Sequence, residues 1–259
     1  MRDISTKKII IFDLDGTLAA SKSKMDDEMS DLLSGLLVTK KIAVISGGSW
    51  KQFNEQFLDQ LQCRDDLLLN LFLFPTTGTR FYRYKSKIWI EVYADVLDPE
   101  ERSKIKVAFE TVFEEIGYKH PEKVYGEIIE DRGTQITFSA LGQGIVKELG
   151  GEGVKLKHEW KEANQDLKLK IALNLRKLLP EFEVRTGGLT SIDVTKKGID
   201  KAYGMRQIEK FLKIPISEML FVGDALYPGG NDYAAIEAGV DTIAVSGPEE
   251  TKKLIGGWL

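Results

Sequence analysis

The sequence predicts an α/β protein: a doubly wound, Rossmann-like core of parallel strands interrupted by an inserted α+β domain. Three observations carry this. Short apolar runs at residues 9–12, 41–45 and 219–222 have the length and composition of strands buried on both faces, and stretches of helical periodicity separate strands throughout both ends of the chain. The alternation breaks between residues 85 and 195, where the order becomes strand–helix–strand–strand and then helix–strand–strand. It resumes over residues 196–259. The core is therefore expected to be discontinuous, residues 1–84 and 196–259, with 85–195 inserted as a cap.

The elements follow in order. Residues 7–18 (KKIIIFDLDGTL) begin as a buried strand, and Gly16-Thr17 supplies the turn that ends it. Ser23 or Asp26 can cap a helix over 26–39, where Met29, Leu32, Leu33, Leu36 and Leu37 recur at helical spacing. The strand KIAVI ends in Ser46-Gly47-Gly48-Ser49, a helix over about 50–62 presents Phe53, Phe57, Leu58 and Leu61, and residues 71–84 read as strand, Pro/Gly turn and strand. In the insertion, 88–96 alternates as a strand and Asp98-Pro99 starts a helix to about 116. Residues 124–129 and 135–141 flank Asp131-Arg132-Gly133 as a hairpin. A Gly- and Lys-rich loop is expected over 142–157, then a helix over about 159–179 and strands at 181–186 and 189–194 joined through Gly187-Gly188. A helix at about 200–213 leads back to the core strand 219–222, which ends in Gly223-Asp224. The loop YPGGND, a helix at 231–238, a strand at 242–245 and a terminal helix complete the chain.

Composition narrows the function. With 42% hydrophobic and 29% charged residues, the 259-residue chain is ordinary globular material. A net charge of −4 with both signs interspersed gives no basic footprint for nucleic acid. The single cysteine, Cys63, cannot form an internal disulfide, which fits a cytoplasmic protein. The opening MRDISTKK leads straight into the first strand without the pattern of a signal peptide, and no apolar run approaches the ~20 residues a membrane helix needs. His120 and His158 lack HExxH spacing, no GxxxxGK[ST] occurs, and Gly142-x-Gly144 has no third glycine, so zinc and nucleotide-loop chemistry find no support. Trp50, Trp89, Trp160 and Trp258 are scattered and expected to pack.

The chemistry begins at Asp13 and Asp15. Side chains two apart on a strand leave by one face, so both acids project toward one spot. Carboxylates at the end of a buried strand repel each other and lose hydration, which points to a bound cation or a catalytic task. In open α/β sheets sites gather beyond the carboxyl ends of strands. Ser46 and Asp224 follow two other such strands, and Lys197 precedes a core helix. Singly, these would be a turn residue, a helix cap and a solvated ammonium; their joint placement makes them a site.

These residues resemble the haloacid dehalogenase superfamily of phosphotransferases, through DLDGT, the hydroxyl residue of VISGG, the lysine of KKGID and VGDALYPGGND. The long insertion resembles that superfamily's type IIB cap. RGTQITFSALG, GGLTSIDVTKKGIDK and GDALYPGGND are similar to stretches of eukaryotic phosphomannomutases, and the resemblance covers nearly the whole chain. It implies that Asp13 is the nucleophile that forms an aspartyl-phosphate and Asp15 the acid and base. It implies Mg²⁺ on Asp13, the Asp15 backbone carbonyl and Asp224, with Ser46, Gly47 and Lys197 holding phosphate and Asn231 and Asp232 orienting the lysine or metal waters.

Within the mutase pattern, Arg132 occupies one of several substrate arginines, Lys22 stands at a second, and Tyr125 and Gln143 stand at two more. Ser191 and Asp193 match the positions that touch sugar. Type IIB phosphatases carry a lysine–glycine pair, here Lys197-Gly198, whereas the mutase lysine falls nearer Lys201. Missing arginines and the Lys197-Gly198 pair favour a Mg²⁺-dependent phosphatase acting on a sugar phosphate or similar small phosphomonoester. The alternative is a phosphomannomutase interconverting mannose 1-phosphate and mannose 6-phosphate. An alternative of another class is a non-catalytic sugar-phosphate-binding protein. The resemblance also implies a possible homodimer formed through the cap.

Overall fold

A computed structural model describes residues 3–259 and divides them into two compact units, one running to Ala94 and resuming at Asp200, the other spanning Asp95–Ile199. The first contains strands β1 (Ile9–Phe12), β2 (Lys41–Ile45), β3 (Leu71–Phe74), β4 (Arg80–Lys85), β5 (Ile88–Ala94), β10 (Met219–Gly223) and β11 (Asp241–Ala244). They form one sheet in the order β11-β10-β1-β2-β3-β4-β5. The first five strands of that order run parallel, and β4 and β5 add an antiparallel edge.

Why this sheet is covered on both faces follows from its period of two. Ile10, Phe12, Ile42, Val44, Leu73 and Val222 join one core cluster, with Met29, Leu33 and Leu36 of α1 (Asp27–Leu37), Phe53 of α2 (Trp50–Gln56) and Ile255 of α8 (Pro248–Gly256). Ile9, Ile11, Ala43, Ile45, Phe74 and Phe221 join another, with Met205 and Ile208 of α6 (Lys201–Leu212) and Ala235 of α7 (Tyr233–Glu237). All four residues of β1 are 0% exposed. Burying such a strand puts its carboxyl end, with Asp13 and Asp15, at the centre of the sheet's edge.

The unit boundary differs from the expected 84/85. Residues 88–94 belong to the core sheet because Ser86 and Lys87 both take positive φ, 54° and 66°, the two-residue turn that lets β5 pair back onto β4. Neither residue advertises such a turn.

The second unit holds α3 (Pro99–Ile116), β6 (Ile129–Asp131), β7 (Ile136–Ser139), α4 (Ile145–Leu149), α5 (Gly151–Leu178), β8 (Phe182–Thr186) and β9 (Ser191–Lys196). Its four strands form an antiparallel sheet in the order β6-β7-β9-β8. Asp98 caps α3 in a capping box with Glu101, and Gly117 closes it in the left-handed region. Ile136, Phe138, Ile192 and Val194 pack against Ile105, Phe109, Ile171 and Leu175 of the two long helices. The alternate residues Thr137, Ser139, Ser191 and Asp193 form a polar face, with Thr137 opposite Asp193 and Ser139 opposite Ser191. The expected loop over 142–157 is largely helical: α4 ends at Gly150 (φ 57°) and α5 starts immediately after it. Among the described residues no helix is long and apolar enough to cross a membrane.

Candidate active site

Asp13 continues β1, its N–H donating to the Val222 carbonyl at 3.0 Å, and it is 2% exposed. The parallel register Phe12↔Val222 and Phe12↔Val44 brings the ends of β10 and β2 level with it. Lys201 opens α6, whose N-cap is Asp200, with Oδ1 accepting from the Tyr203 N–H at 2.7 Å. The Lys201 Nζ donates to Asp13 Oδ1 at 2.7 Å and to Asp232 Oδ1. Asp232, fully buried, turns its other oxygen to the Ala225 N–H at 3.0 Å, tying the YPGGND loop to the lysine. Asp224 completes the group: one carboxylate oxygen from each of Asp13, Asp224 and Asp232 lies within 4.8 Å of the others.

Two bare backbones make this approach possible. A Cβ on Gly16, whose φ is 89°, would stand 2.6 Å from Asp224 Oδ2. One on Gly223 would overlap Asp232 Oδ2. Glycine is the residue that lets the two loops close on each other.

The electrostatics follow from three carboxylates and one ammonium in a small volume. Burial pushes Asp13 well above the usual carboxylate range; Lys201 opposes this, while Asp232 and Asp224 add to it. Burial likewise raises Asp224, with Asp232 adding repulsion and Lys201 relieving it. For Lys201 burial favours loss of the proton, yet Asp13 and Asp232 outweigh it and hold the ammonium above its ordinary value. One lysine leaves excess negative charge. Hard oxygen donors with unbalanced charge are what a small divalent cation binds.

The remaining expected residues are placed as follows. Ser46 follows β2 at the same edge, 3% exposed, its Oγ accepting from the Gly48 N–H at 3.2 Å, and Gly47 is half-buried beside it. Asp15 is half-buried and its Oδ1 accepts from the Lys22 backbone N–H at 2.5 Å. Asn231 is exposed in the loop that carries Asp232. Thr17 was not singled out by pattern; its Oγ1 is buried without a hydrogen-bond partner.

Lys197 requires a correction. It is exposed in the second unit, and its Nζ reaches the Phe182 carbonyl at 3.4 Å, whereas the ammonium on Asp13 belongs to Lys201. A turn at Gly198 (φ 77°) and the Asp200 cap intervene, so the helix presents its first residue, not the lysine four positions earlier. The signal available in sequence was the Asp200 cap directly before Lys201.

In the second unit, Arg132 directs Nε and Nη2 to Glu130 Oε2 at 2.8 and 2.6 Å, and its side chain is 4% exposed. Asp193 Oδ1 accepts from Gln135 Nε2 at 3.0 Å and Thr137 Oγ1 at 2.8 Å; Ser191 lies on the same face. Lys168 donates to the Gly187 and Gly188 carbonyls at 2.7 Å each, and burial lowers its pKa to about 8 against the pull of Asp193. Tyr125 is buried.

The sequence pattern of the eukaryotic phosphomannomutases matches residues 29–258. Relatives include a phosphomannomutase of Encephalitozoon cuniculi, 29% identical over 96% of this chain and 92% of that protein. A probable phosphomannomutase of Caenorhabditis elegans is 27% identical over 96% and 94%. Among solved structures, an IMP-bound Plasmodium falciparum IMP-nucleotidase aligns with a TM-score of 0.68 at 16% identity, over 96% of this chain and 67% of that one. A haloacid dehalogenase-like hydrolase from Bacteroides thetaiotaomicron aligns at 0.59 and 14%, over 98% and 100%. At those identities the structural likeness speaks for the fold alone.

Proposed function

Because the chain belongs to the eukaryotic phosphomannomutase family, we propose that it is a phosphomannomutase, moving a phosphoryl group between the 1- and 6-positions of mannose phosphate by way of Asp13. The observation that carries this is Lys201, pinned between Asp13 and Asp232 with Asp224 alongside. It supplies a buried nucleophilic carboxylate with the cation it needs to stay ionised.

In this mechanism Asp13 attacks phosphorus as the ester oxygen leaves, and Asp15 gives that oxygen its proton. The phosphoryl donor that charges Asp13 is a hexose bisphosphate, which leaves as a monophosphate. The free 6-hydroxyl of mannose 1-phosphate then attacks the aspartyl-phosphate while Asp15 takes its proton, and the bisphosphate so formed, bound the other way round, returns its 1-phosphoryl group to Asp13 and leaves as mannose 6-phosphate. Lys201 and Ser46 offset charge on the transferring oxygens. Asp232 holds Lys201 in place, so it acts through the lysine; Asn231 is assigned to the same loop's support. The acidic group fits Mg²⁺: Asp13, the Asp15 carbonyl and Asp224 would hold it, and when bound it supplies charge neutralisation at the phosphoryl oxygens. Arg132, Ser191 and Asp193 are the proposed substrate contacts of the second unit. A homodimer through that unit is part of the proposal, and a monomeric mass in light scattering would overturn that part.

A second reading, hydrolysis of a sugar phosphate, is favoured by Tyr125 and Gln143 standing where the mutase pattern has arginines. The Lys197-Gly198 argument for it falls away, since Lys201 meets Asp13. The deciding experiment supplies mannose 1-phosphate and Mg²⁺, with and without a hexose bisphosphate, and follows mannose 6-phosphate and free phosphate separately. Bisphosphate-dependent mannose 6-phosphate supports the mutase; free phosphate alone, indifferent to the primer, refutes it.

A further inference from the structure

We propose that Lys22 serves the reaction through its backbone: its N–H, set by a left-handed turn, fixes the Asp15 carboxyl so that the exchanged proton rides on Oδ2. The proposal rests on the reading of Asp15 as the acid and base.

The loop after β1 folds back on itself at once. Leu18 and Ala19 donate their N–H groups to the Leu14 carbonyl at 3.0 and 3.1 Å, and Gly16 donates to the Ala19 carbonyl at 2.7 Å. The Ser23 N–H then donates to the Ala20 carbonyl at 2.8 Å, closing a four-residue turn with Lys22 third. Lys22 has φ +54° there, the position at which a type II turn demands positive φ and normally takes Gly or Asn. A lysine is not chosen for that conformation. What the conformation achieves is the 2.5 Å bond from Lys22 N–H to Asp15 Oδ1, across seven residues of chain.

The consequence is chemical. An amide N–H only donates, so Asp15 Oδ1 must present a lone pair to it whether the carboxyl is charged or neutral. In the neutral form the carbonyl oxygen is the stronger acceptor, so the N–H favours Oδ1 as the carbonyl and leaves the proton on Oδ2, the oxygen assigned to the leaving group and later to the attacking hydroxyl. A carboxyl free to rotate would divide the proton between two oxygens and lose alignment. Lys22 is a positioning residue, and its ammonium is not required for this role. The sequence reading assigned the side chain to substrate charge, so the two roles rank variants differently.

The test compares Lys22→Val and Lys22→Thr, whose branched Cβ resists positive φ, with Lys22→Gly and Lys22→Asn, which accept it. Each is assayed with Mg²⁺ on mannose 1-phosphate, a poor leaving group, and on p-nitrophenyl phosphate, whose leaving group needs little protonation. Asp15→Asn is the control. The branched variants are expected to lose about tenfold in kcat on the sugar phosphate, the scale of a left-handed penalty. Their KM should stay within about threefold and the aryl phosphate should suffer much less. Lys22→Gly and Lys22→Asn should rescue most of that kcat, although both lack the ammonium. If all four variants instead raise KM alike and only Lys22→Arg rescues, the side chain is the functional part and the proposal is overturned. Equal losses on both substrates would mark a structural defect and overturn it as well. A wild-type protein inactive on both substrates, or an Asp15→Asn variant blind to the leaving group, overturns the acid–base reading itself and the proposal with it.

Discussion

Replacing Lys201 by Met tests the electrostatic centre of the molecule most directly. The ammonium is 2% exposed and bonds to Asp13 and Asp232, which are 2% and 0% exposed, so bulk water screens neither contact. Removing one partner of a buried ion pair costs about 3–5 kcal/mol, because the remaining charge is left without compensation. Here two carboxylates lose their partner at once, and Asp13, already raised by burial, responds by binding a proton. Burial already raises Asp13 above the value it has in the unfolded chain. Its contribution to stability is therefore fully present below the unfolded carboxylate pKa and is lost as pH rises through the folded one. Loss of Lys201 pushes that folded value further up. The Lys201→Met deficit should therefore widen as pH rises above the ordinary carboxylate range and narrow toward acid. The assay is thermal melting by circular dichroism of wild type and variant in excess EDTA, since a divalent cation would replace part of the missing charge. At pH 8 a fall in melting temperature of roughly 10 °C is expected for a protein of this size. Adding Asp232→Asn should recover part of it, with a coupling of about 1–3 kcal/mol between the two positions. Additive losses that do not change with pH would refute the reasoning, and with it the placement of an ionised Asp13 against this lysine.

Asp13→Asn should abolish turnover on any phosphomonoester while leaving the circular dichroism spectrum unchanged; a variant keeping over about a tenth of the wild-type rate would remove Asp13 as nucleophile. Mg²⁺ should raise the melting temperature of the wild type, by about 2.7 kcal/mol of stability at a hundredfold excess over Kd, and Asp224→Asn should lose most of that rise. Lys168 loses basicity on folding, to about 8 from an ordinary 10.5. The unfolded chain therefore holds the extra proton between those values, so stability should gain up to about 3 kcal/mol across that window, a gain absent from Lys168→Met in denaturant titrations.

Much of this architecture was legible because one physical cause acted at each point. Residues 9–12 have no polar side-chain atom to place and too short a run for a helix of their own, so a strand buried in a sheet accommodates them, and the acids after it had to lie at the edge. Asp98-Pro99 announced α3 by the same local logic, and the structure adds the Asp98–Glu101 capping box. Legibility failed where backbone conformation was chosen against residue preference. Ser86-Lys87 turns β4 into β5 with neither residue favouring positive φ, which concealed that β5 belongs to the core sheet. Glycines at 142, 144, 150, 151 and 153 suggested a loop, yet α4 and α5 run through most of that stretch: Gly142 and Gly153 sit in close approaches, to the Tyr125 and Ile145 carbonyls, while Gly150 and Gly151 form the joint between the two helices. Local chemistry argued loop and tertiary packing overruled it.

The same limit bears on catalysis. Two lysines four residues apart are indistinguishable by pattern, and only the Asp200 cap decides that Lys201 leads α6 toward Asp13. With Lys197 removed from the site, hydrolysis is supported by the missing arginines alone, and that support has a measurable form. In the proposed mechanism an aspartyl-phosphate on Asp13 would be consumed either by a free hydroxyl of the sugar monophosphate or by water. The ratio depends on how firmly the bisphosphate is held, and arginine forks are the donors best fitted to hold its distal phosphate. A mutase with Tyr125 and Gln143 at two of those positions should therefore leak: free phosphate should accompany mannose 6-phosphate in a fixed proportion. Gln143→Arg should shift that proportion toward mannose 6-phosphate by about tenfold, the effect of one added charged hydrogen bond, chiefly through a lower KM for the bisphosphate. The partition is read by quantifying both products in a single reaction. A ratio unmoved by Gln143→Arg would mean that the distal phosphate is not held at this position, and that water is kept out by something other than charge.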